Sequence, residues 1–168
     1  MSNVTFQGQP ISLQGEFPQP GSKAPDFTLC GSNLVDVALS EYQGKKLILN
    51  IFPSIDTPVC AASVKAFNQA ARDLENTVVL CVSADLPFAQ TRYCSENDLN
   101  EVKTASFFRN SGFPTQYGVA IGEGALRALA ARAVICIDEQ GEVVYSELVS
   151  DITDEPDYQS ALAASMQP

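Results

Sequence analysis

Continuous apolar runs alternate with amphipathic stretches through the middle of the chain. Residues 47–52 and 77–83 are almost uninterrupted apolar segments, which are typical of strands covered on both faces of a sheet. Between them, residues 61–74 place apolar side chains at helical spacing. A strand, a helix and a strand in this order predict a right-handed βαβ unit whose two strands are parallel.

Shorter patterns on both sides of this unit predict a mixed sheet with added hairpins. Three hairpins are expected, formed by residues 4–7 with 11–14, 25–30 with 34–38, and 132–138 with 142–148. The other predicted elements are a helical turn over 40–44, a helix over 86–94, a short strand over 102–105, a loop and helix over 109–118, and a closing helix over 157–166. Residues 119–131 receive no assignment. The pattern therefore predicts an α/β protein.

Size and charge narrow the class of protein. The 168 residues fit one domain, residues 1–168, of which residues 1–15 are an N-terminal hairpin extension. The formal charge of −10 argues against a nucleic-acid partner or an anionic membrane surface. No apolar run approaches the roughly 20 residues of a membrane span, and the first residues lack the features of a signal peptide. We therefore expect a cytoplasmic protein.

The absence of histidine limits the chemistry. The chain has no His, which excludes Ser-His-Asp triads, His-paired cysteine hydrolases and His-ligated metal sites. Its five cysteines show no Cys-x-x-Cys spacing, and an odd number spread along the chain does not suggest a structural disulfide framework. A cysteine nucleophile in this protein must be activated by its surroundings rather than by imidazole.

Cys60 lies where a predicted strand passes into a predicted helix. Thr57 is a favourable N-cap whose hydroxyl can accept a hydrogen bond from the first turn, and Pro58 suits the first helical position. Cys60 is then the third helical residue, where the positive end of the helix stabilises a thiolate. The alternative is that Cys60 only begins the apolar stripe of the helix, which continues through Val64 and Phe67.

The other cysteines differ in position. Cys94 comes near the end of a short helix beside a polar turn, where local opening costs little. Taken alone, a cysteine in this position is more often a packing thiol than a redox residue. Cys30, Cys81 and Cys136 fall inside predicted strands and are expected to be buried core residues.

Three separate motifs resemble one known family. The pattern Pro53-x-x-x-Thr57-x-x-Cys60 resembles the active-site signature of peroxiredoxins, and the longer strings 50–60, 83–90 and 130–133 resemble the bacterial thiol peroxidase subfamily, of the atypical 2-Cys type. The resemblance extends from about Val4 to Tyr158. It implies a thioredoxin-like (peroxiredoxin) fold, in which a central mixed sheet is flanked by helices and preceded by an N-terminal β-hairpin.

The resemblance also implies a reaction and a set of site residues. Cys60 would be the peroxidatic nucleophile, and Cys94 the resolving cysteine that forms an intrachain Cys60–Cys94 disulfide. Thr57 and Arg132 would polarise the peroxide, and Pro53 would shield the sulfur. From the residues alone, a surface ion pair is the simpler expectation for Arg132 in so acidic a protein.

The implied activity is thiol-dependent peroxidase activity in antioxidant defence. Hydrogen peroxide and organic (alkyl or lipid) hydroperoxides would be reduced to water and alcohols, and a thioredoxin-like protein would regenerate the enzyme. No cofactor and no metal is expected, and the resemblance suggests a homodimer. Two alternatives stay open from the residues: a dithiol–disulfide oxidoreductase acting on protein thiols, and a thioredoxin-like scaffold with inert thiols.

Overall fold

The computed structural model describes residues 3–166, which form two sheets and four α-helices. Residues 1–2 and 167–168, the two ends of the predicted domain, lie outside the described residues. The strands are β1 (Asn3–Phe6), β2 (Gln9–Gln14), β3 (Thr28–Gly31), β4 (Asp36–Ala38), β5 (Lys46–Ile51), β6 (Thr77–Ser83), β7 (Lys103–Ser106), β8 (Ala120–Ile121), β9 (Ala133–Ile137) and β10 (Val143–Leu148). The helices are α1 (Pro58–Ala71), α2 (Pro87–Glu96), α3 (Phe113–Gln116) and α4 (Tyr158–Ser165), and a 3-10 helix spans Leu39–Tyr42.

The main sheet is mixed, with the strand order β10-β9-β5-β6-β7-β3-β4. Its three central strands, β5, β6 and β7, are parallel, and all other neighbours in it are antiparallel. The predicted unit of parallel strands around α1 is therefore confirmed. Because the carboxyl ends of β5, β6 and β7 meet at one edge of the sheet, the loops that follow them lie together there.

Apolar side chains cover both faces of the main sheet. On one face, α1 and α4 pack over side chains from β5, β6 and β9, and Phe67 of α1 meets Tyr158 of α4 edge to face with ring centroids 5.3 Å apart. On the other face, Phe27, Phe113 and Tyr117 form an aromatic cluster. The central strands are buried on both sides, which explains why their sequences show no alternation.

The N-terminal hairpin is confirmed, but its turn is not where the sequence suggested. We expected residues 8–10 to form the turn, whereas the turn is made by Gln7 and Gly8, both at positive φ (53° and 82°). This is the backbone that a two-residue hairpin turn requires. Gln9 and Pro10 already belong to β2, where Pro10 lies opposite Thr5 of β1.

A short third strand extends this hairpin into a small separate sheet. Residues 119–131, which received no assignment, contribute β8, which pairs with the end of β2 through Leu13 and Ile121. The chain crosses α3 closely just after β2: a Cβ on Gly15, which has φ +90°, would lie 1.9 Å from the carbonyl oxygen of Thr115. A glycine is therefore required at position 15.

Several element boundaries differ from the predictions. Helix α1 ends at Ala71 rather than at residue 74, because Asp73 and Leu74 donate to Ala70 and Ala71 in tighter i to i−3 turns. The predicted helical turn at 40–44 is the 3-10 helix, followed by Gly44 at φ +87°. The second and third hairpins are present as β3–β4 and β9–β10.

Candidate active site

Cys60 lies at the third position of α1, as the sequence predicted. The helix begins at Pro58, and the side chain of Cys60 is fully buried (0% exposed). The N–H groups of Val59 and Cys60 make no hydrogen bond to any described residue. These unpaired donors and the positive end of the helix both favour negative charge near the sulfur.

Thr57 is the N-cap residue, but it does not cap the helix through its side chain. Its backbone is extended (φ −92°, ψ 147°), as an N-cap should be, yet its hydroxyl accepts no hydrogen bond from the first turn. Instead, Thr57 Oγ1 donates to the carbonyl oxygen of Ser54 at 3.0 Å. The expectation of a capping hydroxyl is therefore wrong. Because the hydroxyl proton is already committed, Thr57 can only accept a hydrogen bond from a further ligand.

Arg132 lies directly beside the sulfur of Cys60. Its Nη2–H donates to Cys60 Sγ at 3.2 Å, and its Nε–H donates to the carbonyl oxygen of Ile152 at 3.0 Å. The register of the sheet explains this contact, because Ala133 of β9 lies opposite Ile51, the last residue of β5. Arg132 is thereby held at the carboxyl end of β5, where the chain turns towards α1.

The guanidinium of Arg132 is buried without a carboxylate. The residue is 1% exposed, and none of the ion pairs formed by described residues involves it. The simpler expectation of a surface ion pair is therefore wrong. Moreover, Nη1 is buried and has no hydrogen-bond partner among the described residues. A buried cation is costly without compensating partners, and the acceptors that the Arg132 side chain contacts are Cys60 Sγ and the carbonyl oxygen of Ile152.

Pro53 and Asp56 lie in the loop between β5 and α1. Pro53 is buried. Asp56 faces solvent, with 65% of its side chain exposed, and lies 3.5 Å from the guanidinium of Arg92 on α2. An inward carboxylate would oppose a thiolate at Cys60, and the structure has none at this position.

Cys94 lies in the last two turns of α2 and is half-buried. Its thiol and that of Cys60 are both free, so the structure shows the dithiol form. Burial raises the pKa of the Cys94 thiol. Helix α2 contacts α1 through Tyr93, whose hydroxyl donates to the carbonyl oxygen of Ala61 at 3.3 Å. Both cysteines thus belong to well-formed helices.

The three remaining cysteines are buried, as expected. Cys30, Cys81 and Cys136 are at most 1% exposed. Burial raises the pKa of Cys81 to about 12 and that of Cys136 to about 11, so both are neutral thiols at physiological pH.

Sequence reasoning assigned no role to Asp85, Ser54 or Ile152, although all three contribute to the site. Ile152 supplies the carbonyl group that holds Nε of Arg132, and Asp85 accepts a hydrogen bond of 2.8 Å from Ser54. A signal for the Asp85–Ser54 contact was available, because each residue follows one of two predicted parallel strands and such strand ends meet at one edge of a sheet. Nothing in the local sequence indicates the contact of Ile152.

Two further features of the described residues bear on the class of protein. No cluster of three or more His, Cys, Asp or Glu side chains within residues 3–166 is suited to holding a metal ion. Over the same range, none of the helices combines the length and the apolar character needed to cross a bilayer.

Comparisons with known proteins agree with this geometry. The family model "Redoxin" matches residues 19–162. Two proteins called "Thiol peroxidase", from two strains of Vibrio cholerae serotype O1, are each 54% identical to the chain over 159 residues, which is 95% of this chain and 97% of theirs. The chain therefore belongs to the redoxin family and, within it, to the thiol peroxidases.

Solved structures show the same fold. A "peroxiredoxin-like protein from Aquifex aeolicus" superposes with a TM-score of 0.93 at 37% identity, covering 98% of this chain and 96% of that one. A "Thiol peroxidase from Chromobacterium violaceum" superposes with a TM-score of 0.84 over 94% of this chain and 91% of that one, and its 23% identity supports the fold alone. The predicted family, fold and peroxidase class are confirmed.

Proposed function

We propose that Cys60 is the nucleophile with which this thiol peroxidase reduces hydroperoxides. The observation that carries this assignment is the guanidinium of Arg132, which donates from Nη2 to Cys60 Sγ at 3.2 Å while its buried Nη1 has no partner. One arm of the guanidinium favours the thiolate, and the other is free to bind an oxygen atom beside the sulfur. This buried cation argues against a scaffold with inert thiols, in which it would have no role.

The first step forms a sulfenic acid on Cys60. The thiolate attacks one peroxide oxygen, an S–O bond forms and the O–O bond breaks, and the departing oxygen takes a proton to leave as water or an alcohol. Nη1 of Arg132 stabilises the negative charge that develops on the departing oxygen. The lone pairs of Thr57 Oγ1 accept the hydrogen bond of the peroxide proton, because the hydroxyl proton is already donated to Ser54.

The second step forms the proposed Cys60–Cys94 disulfide. The thiolate of Cys94 attacks the sulfenic sulfur, an S–S bond forms, the S–O bond breaks and the hydroxide leaves as water. A dithiol protein of the thioredoxin type then reduces the disulfide by exchange. Because a disulfide requires Cα atoms within about 7 Å, we expect the helix ends that carry these two cysteines to unwind in this step.

Buried Cys60 limits how a peroxide reaches the sulfur. Because both Cys60 and Pro53 are buried, the loop between β5 and α1 must move to admit substrate. We propose that Pro53 excludes bulk water from the sulfur between turnovers. The proposed substrates are hydrogen peroxide and organic hydroperoxides, including alkyl and lipid hydroperoxides, and the proposed role is antioxidant defence in the cytoplasm.

The decisive experiment is peptide mapping after mild oxidation. The fully reduced protein is treated with one equivalent of cumene hydroperoxide and digested under non-reducing conditions. A Cys60–Cys94 bridge within one chain, which is lost in Cys60→Ser, supports both assignments, and Cys136→Ser serves as the matched control. A Cys60 sulfenic acid without a bridge would assign the resolving role to another thiol. No rapid modification of Cys60 would exclude it as the nucleophile.

We further propose that the protein forms a homodimer through the edge of the sheet that carries the site. Three large apolar side chains that follow β6 and β7 are exposed there: Leu86 (50%), Phe88 (67%) and Phe108 (44%). A cavity of about 660 Å³ adjoins Phe108, and Ala84 and Phe107 also line it. Exposed apolar surface of this kind is typical of interfaces.

Sedimentation velocity tests the dimer. Wild-type protein should sediment as a dimer and Phe108→Glu as a monomer, whereas Val144→Glu, which changes a comparably exposed residue (43%) of β10, should remain dimeric. A monomeric wild type at micromolar concentration would contradict the proposal.

A further inference from the structure

Asp85 joins the loop after β6 to the loop that precedes α1. Its carboxylate accepts hydrogen bonds from Ser54 Oγ at 2.8 Å, from the backbone N–H of Ile55 at 2.7 Å and from Ser83 Oγ at 2.6 Å. Two of these three donors belong to the segment that carries Thr57. Asp85 is half-buried and forms no ion pair with any described residue, so its hydrogen bonds are directed entirely at this framework.

Ser54 connects Asp85 to Thr57 through hydrogen bonds. The side chain of Ser54 is held by Asp85, and it also accepts the backbone N–H of Asp56 at 3.2 Å. The carbonyl oxygen of Ser54 accepts both the hydroxyl of Thr57 at 3.0 Å and its backbone N–H at 3.2 Å. The direction of the Thr57 hydroxyl therefore depends on where Ser54 lies, and Asp85 determines that position.

The same carboxylate is connected to the helix of Cys94. Ser83 Oγ, which donates to Asp85, accepts Nε2 of Gln90 at 3.0 Å, and Gln90 also donates to the carbonyl oxygen of Ala105 at 2.9 Å. Gln90 is 1% exposed and lies one turn before Cys94 on α2. The hydrogen bonds of Gln90 thus hold the first half of α2 against the sheet, whereas Cys94 lies one turn further along the helix.

We propose that Asp85 is a positioning residue of the peroxide-reducing step, acting through Ser54 on the hydroxyl of Thr57. The inference rests on the proposed function, because it assumes that Thr57 accepts the peroxide proton. A carboxylate is needed because three donors converge on it, and a carboxylate presents acceptor oxygens on both sides. An amide would turn an NH₂ group towards one of these donors, which would release Ser54 or the Ile55 N–H and leave the Thr57 hydroxyl free to rotate.

The test separates peroxide reduction from general reactivity of Cys60. In Asp85→Asn, we expect the second-order rate constant for oxidation of Cys60 by cumene hydroperoxide to fall about tenfold, since small misplacements of catalytic groups have effects of this order or larger. Alkylation of Cys60 by iodoacetamide at the same pH needs no help from Thr57 and should stay within about twofold of wild type. Equal losses in both reactions would indicate a merely structural role and would overturn the proposal.

A double-mutant cycle tests the route through Thr57. Thr57→Val removes the hydroxyl, so adding Asp85→Asn to it should have little further effect on peroxide oxidation. If Asp85→Asn costs the same factor in both backgrounds, Asp85 does not act through Thr57. The matched control is Asp138→Asn. The carboxylate of Asp138 likewise accepts backbone hydrogen bonds, from Gln140 and Glu142, but it lies in the turn between β9 and β10.

The wild-type measurement distinguishes the two proposals. Wild-type protein whose Cys60 is not oxidised by peroxide overturns the proposed nucleophile and this inference together. Wild-type protein that reacts, alongside an Asp85→Asn variant that reacts equally fast, overturns the inference alone.

Discussion

The guanidinium of Arg132 donates a 3.2 Å hydrogen bond to the sulfur of Cys60, although 72 residues separate the two in the chain. Both residues are at most 1% exposed, and Arg132 forms no ion pair with a carboxylate in the described part of the chain. The pair is therefore isolated from water and from competing charges. Electrostatic interactions are strengthened in such surroundings.

Replacement of Arg132 should greatly slow peroxide reduction and should have a smaller effect on the fold. In Arg132→Gln, the charge and the free Nη1 donor are lost, and we expect the rate constant for Cys60 oxidation to fall about 100-fold or more, the usual cost of removing one preorganised donor. Arg132→Lys keeps the charge but cannot contact both Ile152 and the sulfur, so it should be intermediate. Stopped-flow measurement checks the order, with Arg127→Gln at an exposed arginine as the control. Wild-type rates in Arg132→Gln would exclude the proposed role.

Disulfide formation should accelerate with pH. Burial raises the pKa of the Cys94 thiol, so at neutral pH only a small fraction of it is ionised in the folded helix. Because the thiolate is the attacking form, the rate of bridge formation after one equivalent of peroxide should rise about tenfold per pH unit below that pKa. Quenched-flow mapping of the Cys60–Cys94 bridge provides the measurement. A rate independent of pH would mean instead that opening of the helices limits the step.

Alkaline conditions should destabilise the protein through its buried thiols. Burial raises the pKa of Cys81 from 9.0 to about 12 and that of Cys136 from 9.0 to about 11. Below pH 9.0 both thiols keep their protons whether the chain is folded or unfolded. Between pH 9.0 and the raised pKa of each thiol, the unfolded chain releases a proton that the folded chain retains, so the free energy of unfolding falls by about 1.4 kcal/mol per pH unit for each thiol.

Urea unfolding at about pH 8 and about pH 10.5 tests this linkage. Cys81→Ala should lose less stability between the two pH values than wild type does. Val79→Ala, two residues earlier in β6 and likewise buried (1% exposed), truncates a core side chain without removing a titrating group and should keep the wild-type dependence. The same loss with pH in both variants would contradict the assignment to Cys81.

Oxidation should loosen two separate segments while a third remains protected. Hydrogen exchange at residues 57–62 and 91–97 should increase in the disulfide form, because the ends of α1 and α2 must unwind to bring Cys60 and Cys94 together. The backbone N–H of Gln90 should stay protected from exchange in the dithiol and disulfide forms, since the Gln90 side chain anchors the first half of α2 to Ser83 and Ala105. Helix α4 is the internal control. Unchanged protection of the two segments would contradict unwinding.

Local patterns in the sequence predicted the elements around Cys60 well. The apolar runs of β5 and β6, and the helix between them, depend on periodicity and on the Thr57-Pro58 start signal, which are properties of neighbouring residues. Prediction failed where tertiary contacts decide the conformation. Strand β8 has only two residues and exists because it pairs with β2, so no periodic pattern could reveal it.

The hydroxyl of Thr57 shows the same limit within the site. Its N-cap position follows from the local sequence, but the partner of its hydroxyl does not. Asp85 holds Ser54 in place, and the carbonyl oxygen of Ser54 then competes successfully for the Thr57 proton. That competition depends on a residue from the neighbouring strand end, which local propensity does not include.

Cys60 stands at the third position of a helix after a buried strand because of short-range signals, since Pro58 and the apolar run before it act over a few residues. What faces the sulfur of Cys60 depends instead on long-range strand pairing. Arg132 reaches Cys60 because β9 pairs with β5 in the register that sets Ala133 opposite Ile51. Long-range pairing of this kind also buries the guanidinium without a carboxylate, so a residue that resembled a surface cation in the sequence becomes the partner of a buried thiol.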